Sequence, residues 1–220
     1  MHQLNGKDKL ALQRHEMVRT QLQTRGITDK SVLNVMSRLP RERFISDNLY
    51  HHAYDDNPLP IGGGQTISQP YIVALMTQEL QVNRSCDILE IGTGSGYQAA
   101  ILACLGKHVY TIERLEQQSI SAQFVLKGLG ITNVDFYVGD GTCGWPEDKK
   151  FDRIIITAAA PKMPEPLQQQ LKIGGLAVVP IGPEFVQDLV LLKKTETGLE
   201  SNVICGCRFV KLIGKFGYTE

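Results

Sequence analysis

The sequence predicts an α/β protein built on a doubly wound, mostly parallel sheet, with an antiparallel C-terminal strand and N-terminal helices. Three observations predict it. Short apolar runs such as CDILEI, DRIIIT and LAVVPI read as strands buried on both faces. Helix-length segments separate these runs from Tyr97 onward. A glycine-rich turn, Gly92-Thr93-Gly94-Ser95-Gly96, follows the first run directly and opens a helix.

The elements follow in order. Leu10, Val18 and Leu22 recur at helical spacing, so a helix is expected from Lys7 to Arg25, with Gly26 as its stop. A second helix is expected over Asp29–Arg38, capped by Thr28 and ended before Pro40. The stretch from Tyr54 to Gln69 is dense in Pro and Gly and reads as a long ordered loop, a common place for function. Pro70 opens a helix carrying Ile72, Val73, Leu75 and Met76. Strand CDILEI, helix Tyr97–Leu105, strand HVYTI and helix Leu115–Leu129 then alternate. Strands VDFYV, DRIIIT and LAVVPI follow, with a helix over Pro164–Leu171 between the last two. The runs DLVLL and NVICGCRFVKLI leave no room for a helix between them, so they are expected to be antiparallel.

The chain of 220 residues suits a single domain. Residues 1–82 would supply helices and the active-site loop, and residues 83–220 the cofactor-binding sheet. Lys+Arg and Asp+Glu both number 23, so no charged face points to nucleic acid or a membrane surface. Neutral charge and one complete domain lead us to expect a monomer. Five cysteines, an odd count without a C-x-x-C pair, read as buried free thiols, with Cys205 and Cys207 on one strand face. No metal site is expected from them. The polar start MHQLNGKDKL has no apolar leader core, and reduced thiols suit a cytoplasmic protein.

The glycine turn carries the first chemistry. Glycines there remove Cβ atoms and let a ligand approach the backbone. A dinucleotide fingerprint needs G-x-G-x-x-G, but the third position here is Tyr97. The observed G-x-G-x-G, preceded by Glu90, instead predicts a Rossmann-like class I methyltransferase site for S-adenosylmethionine. The methionine carboxylate of such a ligand would gain from the helix N-terminus. Glu113 ends the second strand and is placed to accept the ribose hydroxyls. Asp140, after the third strand, is placed for the adenine amino group. The cofactor set is therefore Glu90, Gly92, Thr93, Gly94, Gly96, Glu113, Arg114, Asp140 and Gly141. Taken singly, Glu113 is equally a solvated strand end and Asp140 a turn former.

The upstream loop narrows the reading. The segment PIGGGQTISQP, Pro60–Pro70, resembles the hallmark of the protein-L-isoaspartate O-methyltransferases. The resemblance continues through LEIGTGSGYQA at Leu89–Ala99, VGDG at Val138–Gly141, FDRIIITAAAP at Phe151–Pro161 and GGLAVVPIG at Gly174–Gly182. The upstream PRERFI, Pro40–Ile45, is also similar. The resemblance implies methyl transfer from S-adenosylmethionine to the α-carboxyl of L-isoaspartyl residues in damaged peptides and proteins, leaving S-adenosylhomocysteine. Spontaneous cyclisation to succinimide and hydrolysis then return some normal aspartate. It also implies that Ser68 is the active-site serine. Gln65, Thr66 and Ile67 would join the cofactor set, Gln65 and Thr66 shaping the pocket and Ile67 packing over the cofactor. Without the resemblance, Ser68 reads as a loop-to-helix cap.

One departure stands out. Family members often carry proline in an R-F-V-P-L run, where this chain has Lys211. That residue reads as a solvated strand position, and it touches the question of peptide handling. His51 and His52 read as surface residues and Trp145 as packing. Other acceptors, a non-catalytic cofactor-binding module and, more distantly, a dehydrogenase are the competing readings.

Overall fold

The computed structural model describes residues 6–219. The expectation of no leader rests in part on residues 1–5, outside that range. Helix α1 spans Gly6–Met17 and continues as a π-helical turn, Val18–Leu22, and a tight turn, Gln23–Arg25. Gly26 closes the run at φ +90°, a conformation that costs a Cβ-bearing residue energy. Helix α2 spans Lys30–Arg38. Its cap is Asp29, whose carboxylate accepts from the Ser31 and Val32 amides, so the expected Thr28 cap is corrected by one residue. A carboxylate there meets two free amides and the positive end of the helix dipole.

The stretch expected as loop contains a hairpin. Strands β1 (Leu59–Gly62) and β2 (Gln65–Ile67) pair antiparallel with an irregularity between Pro60 and Gly62. Gly62, Gly63 and Gly64 all have positive φ, which is why three glycines stand at the turn. Helix α3, Pro70–Glu79, follows with its proline in the first turn.

The main sheet has seven strands in the order β5-β4-β3-β6-β7-β8-β9. They are β3 (Asp87–Ile91), β4 (His108–Glu113), β5 (Val134–Val138), β6 (Phe151–Ile156), β7 (Leu171–Ile181), β8 (Gln187–Lys194) and β9 (Leu199–Cys207). Strands β3 to β7 run parallel, and β8 and β9 are antiparallel to their neighbours. Helices α4 (Tyr97–Leu105), α5 (Glu116–Gly128) and α6 (Glu165–Gln170) cover the sheet. Side-chain alternation divides the core between two faces: Ile88 packs in one cluster, and Leu89 and Ile91 in the other.

Two further expectations are corrected. The run NVICGCRFVKLI is not one strand. Strand β9 ends at Cys207, and residues 208–213 leave its partner to bridge Ala159 instead. The five cysteines are free, but they are not all buried: Cys86 is buried, Cys143 is exposed, and the other three are half-buried. Among the described residues, no helix is long and apolar enough to cross a membrane.

Candidate active site

Strand β3 pairs with β4 on one side and β6 on the other. The chain thus winds outward in both directions from β3, and a crevice opens at the carboxyl ends of these strands. The glycine turn Gly92–Gly96 lies at that crevice. The hairpin β1–β2 and Ser68 face it from the N-terminal part, since Gln65 to Ser68 and the glycine turn line one cleft.

The glycine turn is held from two sides. Gly92, Gly94 and Gly96 have φ of +92°, +52° and +85°. A Cβ on Gly92 would sit 2.4 Å from the Thr157 hydroxyl oxygen. That hydroxyl donates to the Gly92 carbonyl at 2.6 Å, and the Thr157 amide donates to Ile91 at 2.9 Å. Glu113 is buried, and its carboxylate accepts from the Gly94 amide at 2.9 Å and the Leu115 amide at 3.0 Å. It is therefore no solvated strand end. It spends one lone pair of each oxygen on backbone and retains others for a ligand.

Beneath the turn lies a second carboxyl. Glu90 is fully buried and accepts from Thr111 at 2.5 Å, and Thr111 in turn meets Thr93 at 2.6 Å. Burial pushes the Glu90 pKa up to about 8, against the Thr111 hydrogen bond, with Glu113 adding to the rise. Burial thus favours the neutral form of this group, whose buried Oε1 has no hydrogen-bond partner among the described residues.

The opposite wall is organised by a cation. Arg41 is fully buried and donates to the carbonyls of Ala53 at 2.9 Å and Ser68 at 2.8 Å. Its guanidinium lies 4.9 Å from the Tyr97 ring centre, a cation–π arrangement. It thereby joins the loop of Ser68 to the helix that begins at the glycine turn. Burial lowers the Arg41 pKa, while Tyr97, Tyr54 and Asp56 act in the other direction. Gln118, on α5, fixes the hairpin by donating to the Ile61 and Gly62 carbonyls at 3.0 and 3.2 Å.

Of the residues expected at the cofactor, Gln65, Thr66, Ile67, Gly92, Thr93, Gly94, Glu113, Arg114 and Gly141 line this cleft together with Ser68. Glu90, Gly96 and Asp140 stand behind its wall. Gly96 caps α4 and packs where a Cβ would meet Ala122 and Leu126, each at 2.9 Å. Asp140 turns its carboxylate to the Thr142 amide at 2.9 Å and the Lys215 amide at 2.8 Å. Burial raises the Asp140 pKa, but these donors outweigh it and bring the pKa below its ordinary value. Trp145 packs edge-on against Tyr110 and Tyr137. His51 and His52 are exposed, and His52 pairs with Asp55 at 2.8 Å.

Residue-level sequence reasoning did not single out Arg41, Gln118 or Thr157. Thr157 had a usable signal, its place just past the carboxyl end of the strand beside β3.

With the hairpin in this position the cleft has a free volume of about 90 Å³. It opens into a groove of about 760 Å³. The two share Gln65, Thr66, Ser68, Thr157, Val210, Lys211 and Ile213. The donor set suits S-adenosylmethionine: close-approach backbone at the glycines, a buried carboxylate at Glu113 for hydroxyls, and apolar walls at Ile91, Ile112 and Leu212.

The family model for protein-L-isoaspartate(D-aspartate) O-methyltransferase matches residues 12–217. The chain belongs to this family. It is 49% identical over 206 residues to the protein-L-isoaspartate O-methyltransferase of Geobacter metallireducens, covering 93% of this chain and 95% of that one. It is 50% identical over 216 residues to that of Desulfosudis oleivorans, covering 98% of each. A solved protein-L-isoaspartate O-methyltransferase superposes with a TM-score of 0.83 at 31% identity, over 92% of this chain and 67% of that one. A Plasmodium falciparum structure of the same description, in complex with S-adenosyl-L-homocysteine, gives 0.78 at 25% identity, over 91% of this chain and 98% of that one. Membership of the O-methyltransferase family explains why the Pro60–Pro70 hairpin stands across the glycine turn: one site must hold a methyl donor and a carboxylate acceptor together.

Proposed function

We propose that this chain transfers a methyl group from S-adenosylmethionine to the α-carboxyl of L-isoaspartyl residues in peptides and proteins. The observation that carries it is the position of Ser68, which lines both the glycine-turn cleft and the adjoining groove. When bound, S-adenosylmethionine supplies an electrophilic sulfonium methyl and leaves as S-adenosylhomocysteine.

The chain's own residues do the positioning. The acceptor is a carboxylate with an ordinary pKa near ~4, already ionised at pH 7, so no general base is needed. Ser68 donates its hydroxyl to that carboxylate and orients one oxygen toward the methyl group. Arg41 holds the Ser68 backbone so that the hydroxyl keeps its place. Gln65, Thr66 and Ile67 shut water from the reacting atoms. Glu113 accepts from the ribose hydroxyls while it fixes Gly94. Placement of this kind accounts for a large part of a transfer barrier, because both reactants lose their freedom before the reaction. Residues 1–82 supply the helices and the Ser68 segment, and residues 83–220 the cofactor-binding sheet, of one catalytic unit.

The test is incubation with methyl-labelled S-adenosylmethionine and twin peptides differing only in Asp or isoAsp. Label is expected in the isoAsp twin alone. Equal labelling, or none in either, contradicts the proposal.

A further inference from the structure

The groove beside Ser68 carries three charged side chains among its lining residues: Glu184, Arg208 and Lys211. Two are cationic and one is anionic. Glu184 and Lys211 form an ion pair at 2.9 Å with side chains 47% and 36% exposed. A pair so open to water is held weakly and exchanges partners at little cost. Arg208 is exposed and makes no ion pair among the described residues. The rest of this groove is apolar or neutral, with Pro58, Ile72, Phe185 and Phe209 among its walls.

Lys211 is placed where the two cavities join. It lines both of them, as Ser68 does, and it is the one charged residue in that shared set. Its backbone is fixed on either side: Ala159 donates to Val210 at 2.7 Å, and Leu212 donates to Ala159 at 2.7 Å. The side chain therefore starts from a rigid base and ends in the groove, where Glu184 meets it.

We infer that Lys211, with Glu184 as an exchangeable counter-ion, selects isoaspartyl peptides that carry an acidic side chain next to the damaged residue. The inference rests on the proposed reaction at Ser68. A peptide whose α-carboxylate is held at Ser68 brings its neighbouring residue against Lys211. An acidic neighbour replaces Glu184 on the ammonium group and meets a groove of net positive charge. A basic neighbour finds Glu184 already engaged and two cations to repel it.

The test uses isoaspartyl peptides identical except for Glu, Gln or Lys beside the isoAsp, with kcat/KM measured for each. The wild-type protein is expected to rank them Glu, Gln, Lys, with about three- to ten-fold between the extremes at low salt. Raising salt to roughly 0.5 M should flatten the series. Lys211→Glu should reverse the order, Lys211→Gln should shrink it, and Glu184→Gln should steepen it. Ratios are read within each variant, so a uniform loss from poor folding does not move them. A flat wild-type series with good turnover of the Gln peptide overturns the inference and leaves the parent reading intact. The same order in Lys211→Glu as in wild type also overturns it. No transfer to any isoaspartyl peptide overturns both.

Discussion

The two walls of the site are each organised by a buried charge, but of opposite sign and with different support. On the donor wall, Glu113 accepts from the amides of Gly94 and Leu115. The turn it holds grows directly out of β3 and is further pinned by Thr157. On the acceptor wall, Arg41 donates to the carbonyls of Ala53 and Ser68. The hairpin there belongs to a separate two-stranded sheet, tied to the main body through side chains such as Gln118. The donor wall is thus part of the sheet, and the acceptor wall is suspended from it. The difference teaches what each wall depends on: the donor wall is fixed by backbone pairing within the sheet, and the acceptor wall by a few side chains such as Arg41 and Gln118.

The largest effect is expected at the rigid wall. Gly92→Ala forces a Cβ against Thr157 in a left-handed backbone region, at a cost of ~2–4 kcal/mol in stability. Thermal unfolding should show a clearly lower Tm, together with weakened cofactor binding. An unchanged Tm would mean that the turn relaxes freely and is not the rigid element. Arg41→Met comes next. It leaves two inward carbonyls without their donor, which costs ~2–4 kcal/mol, and it should lower kcat for the isoAsp peptide more than it lowers cofactor affinity. Calorimetry beside steady-state kinetics checks that split; a loss confined to cofactor affinity would move Arg41 to the donor wall.

Glu113→Ala should weaken S-adenosylmethionine binding by ~1.5–3 kcal/mol, the worth of lost charge-assisted hydrogen bonds. Titration calorimetry reads it directly, and wild-type affinity would remove Glu113 from the site. The last effect concerns pH. The Glu90 pKa is raised to about 8 in the fold, so the folded chain keeps a proton that the unfolded chain releases above its ordinary value near ~4.5. This group therefore favours the fold most below that value, and its contribution is lost as pH rises toward about 8. Glu90→Gln should flatten the fall of Tm with pH across that window. An unaltered slope would mean that Glu90 is ionised in the fold.

The donor half was legible because its strands are buried on both faces and its turn must carry glycines. Asp87–Ile91 and Gly92–Gly96 announce themselves by composition. The acceptor half was less so. Pro58, Pro60 and three glycines read as loop, yet the hairpin forms because those glycines supply left-handed turn residues. Arg41 stands beside Glu42 and Arg43 with nothing in the local pattern to mark it as buried, and tertiary packing buries it. The alternating run after Cys207 carries a true strand signal, but the chain changes partner when Gln187 takes the Phe209 amide at 2.9 Å. Local pattern cannot report such an exchange. Asp140 adds a role that local pattern does not report: its carboxylate accepts from the Thr142 and Lys215 amides, tying the turn after β5 to the C-terminal segment.

The division of labour between the walls is tested most directly by one paired measurement on Ser68→Ala and Glu113→Gln. Each is titrated with S-adenosylmethionine by calorimetry and assayed with saturating cofactor on the isoAsp peptide. Ser68→Ala should lose roughly 10- to 100-fold in kcat, the worth of one hydrogen bond to a charged acceptor, with cofactor Kd close to wild type. Glu113→Gln should show its main loss in Kd. If Ser68→Ala keeps wild-type turnover, or if both variants lose the same parameter, the separation into donor and acceptor walls is wrong.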